Sequence, residues 1–266
     1  MHTVSSADGT TIAYNRAGSG PTVVFVPGAF NDAATCAPLA EQLQGRYTVV
    51  CPDRRGRGHS GDAIAPAEAA TYTVQREIED LDAVIAAEGG EALVFGFSSG
   101  AILALRAGVA GSRITRLALY EPPFAIGGLA RSNQDDLPER LAALIADGRR
   151  GEAVGVMQTE GIGLPAELVE QIRQSPMFPQ LEAVAQTVVY DAMITRSPNV
   201  PTPRMARLDI ETLVLSSGES WPRLREAAKA LPEYLANARY VDVPGGADHG
   251  IPAEATAKAL DAFFRA

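Results

Sequence analysis

Ala92-Leu93-Val94-Phe95-Gly96-Phe97-Ser98-Ser99-Gly100-Ala101-Ile102-Leu103-Ala104 reads as a short apolar strand, a sharp turn and the start of a helix. The turn, Gly96-Phe97-Ser98-Ser99-Gly100, has the spacing G-x-S-x-G. Such a bend holds its serine at the tip, hydroxyl exposed, with a helix N-terminus behind it. Glycine on either side lets strand and helix backbones approach closely. The pentapeptide alone says little, because small residues are common. The apolar run before it and the helical pattern after it give it weight.

Working outward, the chain alternates strand and helix signals on both sides of this turn. Ala7-Asp8-Gly9 is a turn signal between Thr3–Ser5 and Thr10–Arg16 and predicts a β-hairpin. Thr22–Val26 and Tyr47–Cys51 are continuous apolar runs, as in strands covered on both faces. Between them, Asn31 or Asp32 can cap a helix reaching about Gln44. Val74, Ile78, Leu81 and Ile85 fall on one stripe and predict a helix that Gly89-Gly90 ends. The elbow helix is predicted to run to about Val109. Ile114–Tyr120 predicts the next strand, stopping at Glu121-Pro122-Pro123.

The pattern then changes. Strand signals vanish between Pro122 and Asp209, and three helices are expected: around Leu137–Ile145, at Leu168 and Ile172, and over Leu181, Val184, Val188 and Met193. Alternation resumes with strands at Thr212–Leu215 and Arg239–Val243 and helices at Arg223–Leu231 and Ala253–Phe264. The division expected is a core of residues 1–121 and 210–266 with a helical cap over 122–209. Strand alternating with helix implies a mainly parallel sheet with helices on both faces, and ligands beyond the carboxyl ends of its strands. Ala29, Ser98, Glu121 and His249 all follow predicted strands, so they gather at one sheet edge beneath the cap.

Composition narrows the classes. The 266 residues are 46% hydrophobic and 21% charged, enough for a large core in one globular domain. A formal charge of −9 disfavours nucleic acid and anionic membrane as partners. The partner expected is a small-molecule substrate, and a homodimer is left open. No signal-like or bilayer-length apolar segment is present, which reads as a cytoplasmic protein, although a chain stripped of its leader would read alike. Cys36 and Cys51 lack metal spacing and are expected as buried thiols. No metal and no cofactor is expected, since no ligand cluster, G-x-G-x-x-G or Walker loop occurs.

The chemistry follows from residue types. A serine hydroxyl needs a base in reach, and the base needs a carboxylate to orient it. Of three histidines, His2 lies at the chain start and His59 in an Arg- and Gly-rich loop. His249 follows the last predicted strand, in Pro244-Gly245-Gly246-Ala247-Asp248-His249-Gly250, and is the candidate base.

Here the sequence resembles the α/β-hydrolase superfamily. The matching pieces, in the family's order, are Pro27-Gly28-Ala29-Phe30, Asp53-Arg54-Arg55-Gly56-Arg57-Gly58-His59-Ser60, the turn at Ser98 and Ala247-Asp248-His249-Gly250. The likeness implies an eight-stranded, mainly parallel sheet with a variable helical cap. It also implies an oxyanion hole from the backbone amides of Ala29 and Ser99. Two preorganised donors facing the oxygen that gains charge supply the physical reason. The family's usual His-Gly is Pro27-Gly28 here, which does not matter for a backbone donor. The family's common acid position, after the penultimate strand, falls near Trp221, and Glu219 sits close to the strand end. A minority places the acid one strand earlier, as zearalenone lactone hydrolases do with a similar Glu-containing turn. Glu121 occupies that place, its following backbone fixed by Pro122-Pro123.

The implied activity is hydrolysis of a carboxylic ester or lactone of a small, largely apolar substrate. The alternative is C–C hydrolysis, a lyase or other cofactor-free acid/base chemistry on the same scaffold. Similar epoxide and haloalkane hydrolases carry Asp where Ser98 stands. Phe30, Trp221, Tyr190, Met193 and Met157 are candidates for an apolar pocket. The arginines at 54, 55 and 57 are expected to form a solvated basic turn, and Asp248 to shape its loop.

Overall fold

The computed structural model describes residues 1–127 and 135–266. Its strands, in chain order, are β1 (His2–Ser5), β2 (Thr11–Ala17), β3 (Thr22–Val26), β4 (Thr48–Pro52), β5 (Ala92–Phe97), β6 (Ile114–Tyr120), β7 (Thr212–Ser217) and β8 (Ala238–Val243). They form one eight-stranded sheet in the order β1-β2-β4-β3-β5-β6-β7-β8. β2 pairs antiparallel with both β1 and β4, and every other pairing is parallel. The continuous apolar runs earn their burial: every residue of β4, β5 and β7 is buried, as a strand covered on both faces requires.

The helices are α1 (Ala37–Leu43), α2 (Val74–Ala87), α3 (Ser99–Ala110), α4 (Leu137–Ala146), α5 (Arg150–Val156), α6 (Ala166–Arg173), α7 (Phe178–Ala183), α8 (Thr187–Ile194), α9 (Pro203–Ala206), α10 (Pro222–Ala230) and α11 (Ala253–Phe264). Asp32 is the cap chosen before α1: its Oδ1 accepts from Ala34 N at 2.9 Å and starts the turn Ala33–Cys36. Leu39 and Leu43 of α1 pack with Leu260 and Phe263 of α11 on one sheet face. Ile78 and Leu81 of α2, Ile102 and Leu103 of α3, and Ala227 of α10 pack on the other. Cys36 and Cys51 are buried free thiols. Among the described residues, no helix is long and apolar enough to cross a membrane.

Helices α4–α9 lie between β6 and β7, where strand signals vanish. They carry their own apolar cluster, including Leu141, Val154, Met157, Val188 and Tyr190. One expectation fails here. The single helix expected over Leu181–Met193 is two, α7 and α8, separated by a bend at Val184 (φ −104°, ψ 11°). No residue of α7 is buried, whereas all of α8 but Met193 is. One straight helix could not satisfy both environments. α5 and the π-helical turn Met157–Ile162 also lie outside the expected helices.

The turn at Ser98 is built by absence of side chains. A Cβ on Gly100 would stand 2.2 Å from Val26 O, and one on Gly96 would stand 2.5 Å from Ala101 Cα. Either position therefore excludes every other residue, because α3 must cross directly over β3 and β5.

Candidate active site

Ser98 stands between β5 and α3 with φ 55° and ψ −125°, the strained bend that the spacing predicted. Its amide donates to Tyr120 O at 2.9 Å, continuing the β5–β6 ladder one residue past the strand end. Glu121 follows β6, also at positive φ (47°), and its amide donates to Leu215 O at 2.9 Å. Phe30, Asp248 and His249 have positive φ as well. Each such residue costs about 1–3 kcal/mol and persists only where its surroundings hold it. Five of them around one sheet edge mark the place where stability has been given up.

The Glu121 carboxylate is fully buried. Oε1 accepts from Ser217 N at 2.9 Å, and Oε2 accepts from Ser220 Oγ at 2.7 Å and pairs with His249 Nδ1. The imidazole lies between two aromatic rings, 4.7 Å from Phe97 and 5.5 Å from Trp221, the latter stacked at 28°. Its loop is pinned by Tyr120 Oη donating to Gly250 O at 2.8 Å and by Ser217 Oγ donating to Gly246 O. Asp248 shapes this loop from a left-handed conformation (φ 53°, ψ 43°). Glu219 is exposed, and His249 Nδ1 pairs with Glu121 instead.

Ser98 and His249 line the same cavity of about 450 Å³, within the range of small-molecule sites. No hydrogen bond joins Ser98 Oγ to His249 Nε2, and that nitrogen is buried without a partner. Ala29 and Ser99 line the cavity too. Neither amide donates to a protein acceptor among the described residues, and Ser99 is the first residue of α3, where helix amides are free by geometry. Phe30, Met157 and Trp221 belong to the cavity wall. Tyr190 and Met193 do not. Tyr190 is fully buried within the α4–α9 segment, stacked on Tyr72 at 4.1 Å, its hydroxyl donating to Asp62 Oδ2 at 2.7 Å. Met193 packs in the same cluster with its sulfur against Arg196 Nη1.

The arginines are the largest correction. Arg54, Arg55 and Arg57 are buried, not solvated. Arg54 donates to both oxygens of Glu77 (2.5 and 2.8 Å), to Asp191 Oδ1 at 2.9 Å and to Pro27 O at 3.2 Å. Arg57 donates to Asp191 Oδ2 at 2.7 Å and to Gly28 O at 2.6 Å. Arg55 forks onto Asp80 and reaches Asp8 at 2.9 Å. Burial alone would raise Glu77, but the Arg54 guanidinium outweighs it and holds the carboxyl below its ordinary value. Arg57 is pulled down by burial and by the neighbouring Arg54 charge.

Asp191 of α8 was not legible as a functional residue. It is fully buried, and Oδ1 also accepts from Ser99 Oγ at 2.8 Å. One carboxylate thus joins α8 to the Pro27–Gly28 turn and to the start of α3. Gln158 and Arg223 of the cavity wall were also missed. The signal for Arg223 was its place two residues beyond Trp221. Among the described residues, no group of three or more His, Cys, Asp or Glu side chains is placed to hold a metal ion.

Comparison with known proteins agrees with the topology. The model of the "Alpha/beta hydrolase family" matches residues 23–263. A solved alpha/beta hydrolase from Sphaerobacter thermophilus DSM 20745 is 48% identical, with 99% of this chain and 100% of that one covered, at a TM-score of 0.87. A solved hydrolase from Pseudomonas aeruginosa PA01 covers 100% of this chain and 98% of its own at a TM-score of 0.72, but with 21% identity it shows the fold alone. The uncharacterized hydrolase YraK of Bacillus subtilis (strain 168) is 38% identical over 98 residues, 36% of this chain and 35% of that protein, so the match spans about a third of that relative. A family match that starts in β3 and ends in α11, on a sheet whose strand order carries Ser98 at its central bend, makes this chain a member of the alpha/beta hydrolase family.

Proposed function

We propose that the protein is a serine hydrolase that cleaves a carboxylic ester or lactone of a small, largely apolar substrate through an acyl-enzyme on Ser98. The observation that carries this reading is the pairing of the buried Glu121 carboxylate with His249 Nδ1, with Nε2 left unpartnered among the described residues in the cavity that Ser98 lines. His249 Nε2 takes the Ser98 proton as Oγ bonds to the carbonyl carbon. The amides of Ala29 and Ser99 receive the oxyanion. His249 then protonates the departing alcohol oxygen, and the ester C–O bond breaks. Water, deprotonated by the same nitrogen, attacks the acyl-enzyme and frees the acid and the Ser98 hydroxyl. Glu121 holds the tautomer with its proton on Nδ1 and stabilises the imidazolium.

The oxygen of Ser98 must come within hydrogen-bond reach of Nε2 for this sequence, a contact that often tightens only when substrate is bound. The experiment is turnover of p-nitrophenyl esters and a lactone panel by wild type and Ser98→Ala, with fluorophosphonate labelling followed by mass spectrometry. A loss of roughly 10³-fold or more and a label on Ser98 are expected. Unchanged turnover in Ser98→Ala would overturn the mechanism.

A second reading rests on the missing Oγ–Nε2 bond. His249 would then take a proton from the substrate itself, as in C–C hydrolysis or lyase chemistry, with Ser98 a donor only. Activity lost in His249→Ala but kept in Ser98→Ala selects it.

A further inference from the structure

Arg223, in the first turn of α10, lines the cavity without a carboxylate partner among the described residues. Its Nη2 donates to Ile162 O at 2.6 Å, and among the described residues its remaining donors meet no protein acceptor. Burial alone draws this guanidinium below its ordinary value. The contrast with Arg54 and Arg55 is plain, since each of those is buried against two carboxylates. Gln158 lies on the π-helical turn whose end Arg223 holds. It is 4% exposed, lines the same cavity, and its Oε1 is buried without a partner. Gly163 N and Leu164 N donate to its backbone oxygen at 3.1 and 2.9 Å, so the side chain is presented from a fixed backbone. π-Helical turns recur at functional sites.

The rest of the wall is mostly apolar, and among the described residues no Asp or Glu belongs to it. Arg223 is half-buried, so its donors beyond Ile162 O stay open to a ligand in this wall, and of the two side chains Gln158 alone holds a buried polar atom without a partner. Arginine stays charged, and its fork matches a carboxylate. The NH₂ of the Gln158 amide can donate to the same anion, while its orphaned Oε1, an acceptor, calls for a donor and not for the carboxylate. The net charge of −9 does not forbid this, because fields of surface charges fade beyond about 8 Å in physiological salt.

We propose that Arg223 and Gln158 form an anion subsite, and that the substrate is an ester or lactone whose acyl chain carries a free carboxylate. The acyl side is assigned because that part stays in the cavity through both acylation and deacylation, so one anchor serves both transition states. The inference rests on the hydrolase reading above. It differs from a purely structural role for Arg223, holding Ile162 in place.

The test pairs mono-p-nitrophenyl esters of dicarboxylic acids, succinate to suberate, with neutral p-nitrophenyl esters of equal chain length. Wild type should favour its best carboxylated ester by roughly tenfold or more in kcat/KM, the range of a charged hydrogen bond. Arg223→Met should cost the carboxylated series at least about ten times more than the neutral series, with Arg223→Lys between them. Absence of a wild-type preference, or equal losses on both series, overturns the proposal. Trp221 is the sole tryptophan and lines the cavity, so its fluorescence reports binding without turnover. In the Ser98→Ala protein, monomethyl adipate should quench or shift it, and the added Arg223→Met change should abolish the response. That result would stand if hydrolysis failed, whereas a response unaltered by Arg223→Met would refute the subsite.

Discussion

Asp191→Ala is the perturbation whose size the structure states most directly. Arg54, Arg57, Glu77 and Asp191 are all buried and together carry no net charge. Removing Asp191 leaves one positive charge uncompensated. At about 4 Å between charge centres and an effective dielectric of about 20, each arginine contact with Asp191 contributes about 4 kcal/mol. Two contacts give about 8 kcal/mol, from which the desolvation of the aspartate takes back several. The remainder agrees with the 3–5 kcal/mol, roughly, that breaking a buried pair costs. At about 2–4 °C per kcal/mol, the melting temperature should fall by roughly 6–20 °C. Calorimetry and urea titration would measure it. The loss should persist in about 0.5 M salt, since buried pairs are screened little. Adding Arg57→Met to Asp191→Ala removes the orphaned charge and should recover part of the loss. A single variant melting within about 2 °C of wild type, or a double variant less stable than the single, would refute the charge accounting.

Glu121→Gln should lower kcat on an ester substrate by roughly 10²–10⁴-fold while circular dichroism stays native; Glu219→Gln should change it less than about threefold, and the reverse order would move the acid to the β7 loop. Asp8 connects acid stability to the hairpin. Burial alone would raise it, but the hydrogen bond from Arg55, with those from Thr10, carries it from 3.8 down to about 2. A depressed folded value means its contribution is present above about pH 3.8 and is lost as pH falls towards 2. Urea midpoints of Asp8→Asn should therefore vary less than those of wild type between those pH values, and parallel curves would count against the pair.

The sheet was legible because its signals are local. β3, β6 and α11 fall on the residues their apolar runs and turn punctuation predicted. The places of Ser98, Glu121 and His249 were legible because each follows a strand end, where topology does the gathering. What was misread depends on distant partners. Arg54 reads as a surface charge until Glu77, 23 positions on, and Asp191, 137 positions on, fold against it. Tyr190 reads as a pocket aromatic until Asp62 and Tyr72 claim both its hydroxyl and its face. The break between α7 and α8 carries no glycine or proline, so only the burial of α8 reveals it.

The β5 and β6 strands hold Ser98 and Glu121 at adjacent rungs of one ladder, through Ser98 N and Tyr120 O. The last residue of β7 gives Glu121 the Ser217 amide, which any residue but proline supplies, and the segment after it adds the Ser220 hydroxyl. Trp221 and Arg223 stand on that same segment and face the cavity. On the hydrolase reading proposed above, Arg223 can therefore be exchanged to reshape the cavity wall while Ser98 and Glu121, rooted in neighbouring strands, keep their spacing.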